Sequence, residues 1–352
     1  MHHRKSVYFQ TILILFLLAV GMCVIKYKIT RSPHYTIGLV YVPSRAFHEY
    51  LGNAFVKKIK NNKSFSVHKF TSASSSDLIL VNATCNEALE SDADILVCVG
   101  LNCVKGALKC AQKRESKKPI VFMGVADVVK HGFVKSIGPS GSNVAGVESN
   151  SPFEQIFNPV DLLHAIKEKA KNVLVPYAAF NPETLEDHAQ TLQAASKKIS
   201  VSVTLLPIDQ FNDVLPKTAG LLLEHDTLLY LEQDGIAVCG PGLGKLASQH
   251  NVTMFAGSID GIKDSALSYA ADPACLADMA FEIAKEILIN KKKPGDIPVR
   301  QATVPRNLII NTKLCEEQDL ADIDIPAVVH RIRADTRFAA VHDHIIVDGV
   351  VV

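Results

Sequence analysis

The feature that most constrains this chain is a regular alternation of short apolar segments with segments whose apolar residues recur at helical spacing. In the first half the apolar segments lie at 36–42, 66–70, 94–100 and 119–125, and the helical segments lie at 45–59, 77–89 and 103–113. Continuous apolar strands that alternate with helices are typical of a parallel sheet covered on both faces. The pattern therefore predicts an α/β, doubly wound fold.

The alternation begins again in the second half of the chain. Strands are predicted at 172–177, 201–207, 220–224, 251–257 and 266–270, and helices at 159–170, 182–199 and 273–290. Two similar halves predict two doubly wound parallel-sheet lobes that face each other. Ligands of such sheets bind beside the carboxyl ends of the strands, so we expect a ligand site between the lobes.

A stretch dense in Gly, Pro and Ser, residues 132–150, separates the two halves. Its cluster at 138–142 precedes a short apolar strand at 144–147. Gly and Pro at this density indicate that the chain reverses its direction. The strand that leaves this stretch is expected to act as the hinge between the lobes.

The N-terminus carries a basic region at 2–5 and then an apolar run at 12–25. The run approaches the ~20 residues that cross a membrane and is also typical of a secretory signal. The preferred interpretation is that residues 1–34 form an uncleaved membrane anchor. A lipid-modified Cys23 is the second alternative, and a cleaved signal is the third. The basic flank predicts that the rest of the chain is exported. The protein would then be anchored or secreted, and it would lie in the periplasm or at the extracytoplasmic face of the inner membrane.

Composition excludes several classes of protein. The chain has 37 basic and 36 acidic residues, a net charge of +1, so nothing indicates a nucleic-acid partner. Trp is absent, which argues against an indole-lined carbohydrate groove. No CxxC occurs among the eight cysteines, so a zinc ribbon or redox dithiol is not expected, and the disulfide state stays open. No Gly-x-Gly-x-x-Gly follows a strand, and no cofactor is expected.

Three further motifs carry weaker interpretations. The glycine-rich segment 240–244 resembles a phosphate loop but lacks its Gly-Lys-Ser/Thr ending, which favours a helix start. His342 and His344 share one face of a predicted strand but have no evident third ligand, so no metal site is expected. Residues 227–239 are interpreted as a hairpin around the Asp-Gly pair at 234–235.

Six segments resemble, in order and spacing, the extracytoplasmic substrate-binding proteins of ABC transporters, which have the type I periplasmic-binding fold. The segments are 119–137, 140–146, 252–258, 266–272, 280–299 and 307–313. The similarity covers about residues 35 to 320, and it is greatest to the subgroup that includes tryptophan- and tyrosine-type amino-acid binders. The ordered set is specific for the family but does not identify the ligand.

The resemblance implies that the chain crosses between the lobes three times, near Val144, Ala270 and Val299. Residues 35–143 and 271–298 would form lobe one, and residues 144–270 and 299–320 would form lobe two. Residues 321–352 lie beyond the resemblance and form an extension of unknown role, whose apolar alternation suggests strands or a docking segment. Closure of the lobes on a hinge is the expected motion.

The loops that follow the predicted strands supply the candidate ligand-binding residues. In lobe one these are Ser44, Phe47, Asn102 and Asp127, where helix N-termini suit a ligand carboxylate. In lobe two they are Tyr177, Phe180, Asn181, Glu224, Asp226 and Asp260. The carboxylates suit an ammonium group and the aromatic rings suit an apolar side chain. A zwitterionic amino acid would be matched at both ends.

Each of these residues also has an ordinary structural explanation, because Ser, Asp and Asn before helices are usually caps. Asp127 is the preferred candidate, since its context matches an acidic family position after the fourth strand, and Asp260 is next. The first loop departs from the family, which often has Glu-His-Pro where this chain has Ser-Arg-Ala at 44–46, so specificity is expected to differ.

Three functions remain open at this point. The favoured one is a non-catalytic binding protein, expected to be a monomer, that delivers a small solute to the permease and ATPase subunits of an ABC importer. The second is a membrane-anchored sensory or regulatory ectodomain. The third is a two-domain α/β enzyme, which is disfavoured because no catalytic triad, paired-carboxylate motif or cofactor fingerprint is recognisable.

Overall fold

The computed structural model of the protein describes residues 34–43, 46–74, 77–149, 162–163, 166–167, 170–179, 201–230, 236, 239–257, 261, 263–301, 306–335, 345–347 and 350–351. The predicted N-terminal anchor, the predicted helix at 182–199 and most of the one at 159–170 lie outside these ranges. Within them, no helix combines the length and the apolar character that a membrane crossing requires.

In chain order the strands are β1 (Tyr35–Tyr41), β2 (Phe65–Thr71), β3 (Ile95–Val99), β4 (Ile120–Val125), β5 (Val144–Glu148), β6 (Asn172–Ala178), β7 (Ser202–Ile208), β8 (Thr227–Tyr230), β9 (Thr253–Ala256), β10 (Leu267–Ala271), β11 (Arg300–Gln301), β12 (Arg306–Ile310), β13 (Ile345–Val347) and β14 (Val350–Val351). The helices are α1 (Ala46–Lys60), α2 (Leu78–Glu90), α3 (Leu101–Lys113), α4 (Val214–Leu222), α5 (Gly240–His250), α6 (Pro273–Leu288), α7 (Thr312–Glu317) and α8 (Ile325–Ala334).

Several helices begin at residues whose side chains cap them. The Asp77 carboxylate accepts hydrogen bonds from the backbone N–H groups of the second and third residues of α2. Asp272 caps α6 in the same way, and Pro273 occupies the first helical position, where its missing N–H costs nothing. Asn311 and Asp324 cap α7 and α8.

The first lobe is built on a six-stranded parallel sheet in the order β11-β5-β4-β3-β1-β2. Successive side chains of β3 enter opposite faces: Ile95, Val97 and Val99 join the core beneath α1 and α6, whereas Leu96 and Cys98 join the core beneath α2 and α3. A strand buried on both faces needs a continuous apolar sequence, which is why the pattern predicted this lobe.

The second lobe is built on an eight-stranded sheet in the order β14-β13-β12-β10-β9-β8-β6-β7. Strands β6 to β10 run parallel, but β12 is antiparallel to β10 and β14 is antiparallel to β13. The expected parallel sheet is thus confirmed for these five strands, and the antiparallel pairs were not predicted. Ala271 at the end of β10 pairs with Arg306 at the start of β12, because the chain leaves this sheet along β10 and returns along β12.

The chain passes between the two sheets three times. Strand β5 and strand β11 belong to the first sheet, so the first crossing follows Glu148 and the third follows Gln301. Residues 144–148 and 300–301 therefore lie with the first sheet and not, as the resemblance implied, in the second lobe. The Gly/Pro/Ser cluster at 138–142 lies at the opposite edge, ahead of β5, where the Gly141 N–H donates to the Gly295 carbonyl at 3.0 Å. The strand expected to act as the hinge is β5, and the chain leaves the first lobe at its end.

Two predicted elements of the second lobe are wrong. The apolar run predicted as a strand at 220–224 lies at the end of α4, whose buried residues Val214, Thr218 and Leu222 recur every fourth position. The first arm of the predicted hairpin, Thr227–Tyr230, is instead a central strand with parallel neighbours on both sides, and the Asp-Gly pair at 234–235 lies outside the described residues. The four consecutive buried residues of Thr227–Tyr230 fit a strand covered on both faces.

The C-terminal residues complete the second lobe. Helix α8 packs on its sheet, and β13 extends that sheet beside β12. Strands or a docking segment were expected here, and both occur: β13 and β14 are strands, and 325–334 is a helix docked on the sheet. Val328, Ile332 and Ile345 all enter one core cluster with residues of β6 and β12.

The seven cysteines of the described part have free thiols. Four of them, Cys85, Cys98, Cys103 and Cys110, lie in one core cluster of the first lobe. Burial raises the pKa of the Cys103 thiol to about 12, so it stays protonated and unreactive at neutral pH. The interpretation of Cys98 as core filling is confirmed. Among the described residues, no group of three or more His, Cys, Asp or Glu is arranged to hold a metal ion.

Candidate functional site

The carboxyl ends of the parallel strands of the first lobe bring four segments to one edge of its sheet. These are the first turn of α1, the start of α3, the turn after β4 and the end of β5. Of the residues predicted in this lobe, Phe47, Asn102 and Asp127 lie on these segments, whereas Ser44 lies outside the described residues. The edge is therefore the candidate site.

The first turn of α1 places two rings on this edge. The partly buried Phe47 ring packs over β4, where a Cβ atom at Gly124 would lie 3.1 Å from Phe47 Cε1. The His48 ring is 9% exposed and covers Gly100, where a Cβ atom would lie 2.3 Å from His48 Nε2. The two ring centroids are 6.2 Å apart. Position 100 must therefore be glycine so that the His48 ring can pack against the junction of β3 and α3.

His48 was not among the predicted residues. The sequence signal was Gly100, a glycine where a buried strand ends and a helix begins, which indicates close approach of another group. Its φ of 81° also favours glycine. Asn102 follows in the first turn of α3, partly buried, beside an N-terminus that Gly100 leaves without a side-chain cap. That N-terminus favours negative charge.

Asp127 is the second residue after β4 and has an unusual backbone conformation. Its φ is 49°, in the left-handed region that few residues with side chains adopt, although Asp is among the more tolerant. Burial raises the pKa of its carboxyl, and the neighbouring Glu148 charge raises it further, while Lys130 acts in the opposite direction. A strained, partly buried carboxyl at a strand end is typical of a functional position.

Glu148, the last residue of β5, connects this turn to β11. Its Oε1 atom accepts a hydrogen bond from the Val128 backbone N–H at 3.0 Å, and its Oε2 atom accepts one from Gln301 Nε2 at 2.9 Å. The Glu148 carboxylate was not predicted, because the sequence analysis placed β5 in the other lobe.

In the second lobe, Tyr177 lies near the carboxyl end of β6 and is partly buried. The predicted residues Phe180, Asn181 and Asp260 lie outside the described residues. Tyr177 is therefore the one predicted residue of this lobe that the described part shows at the expected edge.

Glu224 and Asp226 lie at the other edge of this sheet, since both precede β8. Asp226 Oδ2 accepts hydrogen bonds from the backbone N–H groups of Lys171 and Asn172 at 2.8 and 2.9 Å, and Oδ1 accepts one from the Thr227 hydroxyl. Its carboxylate ties together the starts of β6 and β8. The expected position at the carboxyl edge is wrong for both residues, because the strand predicted before them is a helix.

The glycine-rich segment 240–244 is explained by packing. A Cβ atom at Gly244 would lie 2.4 Å from the Asp264 carbonyl oxygen, and one at Gly242 would lie 2.7 Å from Leu215 Cδ1. These glycines let α5 approach its neighbours closely. Asp264 directs Oδ2 toward Gly240 at the start of α5, and burial raises the pKa of its carboxyl.

Comparison with known families decides the class of the protein. The sequence profile described as ABC transporter substrate binding protein matches residues 44–329. The chain belongs to the ABC transporter substrate-binding protein family. Substrate-binding proteins of this family bind solutes on the extracytoplasmic side of a membrane and are not enzymes. The resemblance seen in the sequence is therefore confirmed.

Individual relatives of this substrate-binding protein agree with the family. It is 29% identical over 185 residues to a tyrosine-binding protein of Clostridioides difficile (strain R20291), an alignment that covers 51% of each chain. The chain thus spans about half the length of this curated relative.

Solved structures share the fold of this chain. A conserved domain protein from Vibrio cholerae has a TM-score of 0.69 at 21% identity, with 84% of this chain and 98% of that one covered. An ABC domain in complex with L-Trp from Streptococcus pneumoniae has a TM-score of 0.68 at 16% identity, with the same coverage. At these identities the likeness shows the fold, and it confirms the type I periplasmic-binding architecture.

Proposed function

We propose that this substrate-binding protein captures a free amino acid between its two lobes, closes on it by a hinge motion and delivers it to the permease of an ABC importer. The same proposal includes an ATPase partner, a monomeric state, export of the protein and an N-terminal anchor. The family membership supports uptake of a small solute. The observation that carries the choice of an amino acid is Asp127, a partly buried carboxyl at the same carboxyl edge as the Phe47 ring.

In this proposal each end of the ligand meets complementary chemistry. The Asp127 carboxylate receives the ligand ammonium group, and the uncapped N-terminus of α3 near Asn102 receives the ligand carboxylate. The rings of Phe47 and Tyr177 cover an apolar or aromatic side chain. Ser44, Phe180, Asn181 and Asp260 complete the proposed site. The tyrosine- and L-Trp-binding relatives support an aromatic ligand.

The test is a thermal-shift screen of residues 28–352 against the twenty amino acids and a panel of sugars and polyols. A ligand at a hundred times its dissociation constant adds about 2.7 kcal/mol of stability, which is easily detected. We expect a shift with L-tyrosine or L-tryptophan. A shift with sugars alone, or with no compound, would rule out an amino-acid binder.

The assignment of Asp127 is tested by titration calorimetry with the amino acid found in the screen. Asp127→Ala should lower its affinity by about tenfold to a hundredfold, since a hydrogen bond to a charged group contributes about 1.5–3 kcal/mol. Asp226→Ala serves as a contrast, because the Asp226 carboxylate is engaged at the opposite edge of a sheet. Unchanged affinity of the Asp127 variant removes this residue from the site.

A further inference from the structure

Glu148 lies where the candidate site of the first lobe meets the chain crossings. Its carboxylate accepts hydrogen bonds from the Val128 N–H at 3.0 Å and from Gln301 Nε2 at 2.9 Å. The first partner directly follows Asp127, and the second is the last residue of β11. We refer to Glu148, Val128 and Gln301 together as the Glu148 clasp.

The clasp lies where two of the three crossings leave the first lobe. Glu148 and Gln301 are register partners on the adjacent parallel strands β5 and β11. The chain proceeds to the second sheet after each of them. Glu148 is also the register partner of Val125 on β4, and the Ser149 N–H donates to the Val125 carbonyl at 2.7 Å. The ends of β4, β5 and β11 are therefore hydrogen-bonded side by side. The first and third crossings both start from this group.

The same side chain determines the backbone that carries Asp127. The left-handed conformation of Asp127 turns the Val128 N–H toward β5, where Glu148 Oε1 accepts it. A carboxylate that accepts a backbone N–H forms one of the stronger hydrogen bonds in proteins. A displacement of the Asp127 turn therefore disturbs Glu148, and through Glu148 the start of both crossings.

We propose that Glu148 is a positioning residue for solute binding, whose carboxylate holds the Asp127 turn in register with the two strands from which the hinge segments leave. This inference rests on the proposed function, because it assumes that Asp127 meets the solute and that the lobes close around it. In hinge closure a few residues at the ends of elements absorb the motion. The Glu148 clasp holds the Asp127 turn in place while the hinge segments move.

Three variants separate the hydrogen bonds from the charge. Glu148→Ala removes both hydrogen bonds. Glu148→Gln removes the charge but keeps both hydrogen bonds, since its oxygen accepts from the Val128 N–H and the exposed Gln301 amide can turn to accept from its Nε2. The double variant Glu148→Gln/Gln301→Glu also keeps both hydrogen bonds while it moves the negative charge to position 301. Glu282→Gln is the matched control, since Glu282 lies on α6 of the same lobe with an exposed carboxylate.

Binding is measured by calorimetry with L-tyrosine and L-tryptophan, and amide exchange at Val128 by NMR. Glu148→Ala should lose affinity by about tenfold, equivalent to 1.4 kcal/mol, and should exchange the Val128 amide faster. Glu148→Gln and the double variant should lose much less affinity, because both hydrogen bonds remain. Wild-type affinity in Glu148→Ala, or a loss in Glu148→Gln as large as that in Glu148→Ala, would overturn the proposal.

A readout without ligand distinguishes this proposal from the proposed function. Spin labels at Lys109→Cys and Lys313→Cys, both at exposed positions in different lobes, report the distribution of interlobe distances. Glu148→Ala should broaden this distribution, whereas the double variant and Glu282→Gln should leave it unchanged. An unchanged distribution in Glu148→Ala overturns the clasp. A broadened distribution in a protein that binds no amino acid instead refutes the proposed function.

Discussion

At Asp127 the requirements of folding and those of binding conflict. The residue has a φ of 49°, and both burial and the Glu148 charge raise the pKa of its carboxyl. Each feature disfavours the folded state, because left-handed backbone is uncommon for residues with side chains and a buried charge is poorly solvated. Strain of this kind is concentrated at binding sites. A residue kept only for stability would not have these properties.

Replacing Asp127 by Asn should therefore stabilise the protein while it weakens binding. Asn tolerates the same backbone and carries no charge, so the gain at neutral pH should be about 0.5–2 kcal/mol. Because the carboxyl pKa is higher in the folded state than its ordinary value of 3.8, the folded state binds more protons. Wild-type stability should then fall as the pH rises through the folded-state pKa.

Denaturant unfolding of both proteins between pH 4 and pH 8 provides the measurement. The advantage of Asp127→Asn should be small at pH 4 and grow with pH. Asp92→Asn, which changes an exposed carboxylate of the same lobe, should show no such trend. A stability difference that is constant across this range would mean that the charge of Asp127 is not the cause.

The sequence indicated Asp127 but not His48 or Glu148, because the contacts of the last two join residues that are far apart in the chain. Asp127 directly follows a buried strand, so its place at the edge is a local property. His48 is defined by its packing over Gly100, and Glu148 by hydrogen bonds to Val128 and Gln301. Such pairings become visible only when strand order is known.

At the scale of elements, one buried side chain completes the second sheet. Gln318, just after α7, has no exposed surface. Its Oε1 atom accepts hydrogen bonds from the Met254 and Ala266 N–H groups at 3.0 and 3.1 Å, and its Nε2 atom donates to the Asp264 carbonyl at 3.2 Å. Gln318 thus supplies an acceptor where β9 and β10 begin to diverge.

Gln318→Leu should destabilise the protein strongly. The variant leaves two backbone N–H groups without their acceptor, and each buried unsatisfied group costs about 1–3 kcal/mol. Urea unfolding measures the loss. Glu316→Leu, at an exposed position of α7, should change stability by no more than about 0.5 kcal/mol. Equal stability of the two variants would show that water replaces the Gln318 acceptor.

Elements with a clear periodicity were predictable, and those with conflicting signals were not. Strands β1, β3 and β4 were recognised because each is a nearly continuous apolar run. The end of α4 was mistaken for a strand because three consecutive leucines at 221–223 conceal the four-residue spacing of Val214, Thr218 and Leu222. One misassigned helix then moved Glu224 and Asp226 to the wrong edge.

At the scale of the whole molecule, each sheet has core clusters on both faces, and the C-terminus belongs to the second lobe alone. Ile345 of β13 is fully buried in the cluster that also contains Leu308 and Ile310 of β12. The alternation of strands and helices predicted two lobes, but not where the tail docks. The tail docks there because β10 pairs with one edge of β12, which leaves the other edge to pair with β13.

Removal of residues 336–352 should therefore loosen the second lobe and leave the first intact. The deletion exposes the side of β12 that pairs with β13, and the lost burial of Ile345 alone corresponds to about 1.5–3 kcal/mol. Hydrogen exchange with mass spectrometry should show faster exchange in β10 and β12 and unchanged exchange in β1 to β4.

A pair of point variants tests whether packing of β13, rather than chain length, is responsible. Ile345→Ser should reproduce the faster exchange of β12, whereas Ile346→Ser, at a partly exposed neighbour on the opposite face, should have a smaller effect. If β1 to β4 lost protection as much as β12 did, the two lobes would unfold as one cooperative unit. The tail would then stabilise the whole molecule, because the crossings would transmit the loss from one core to the other.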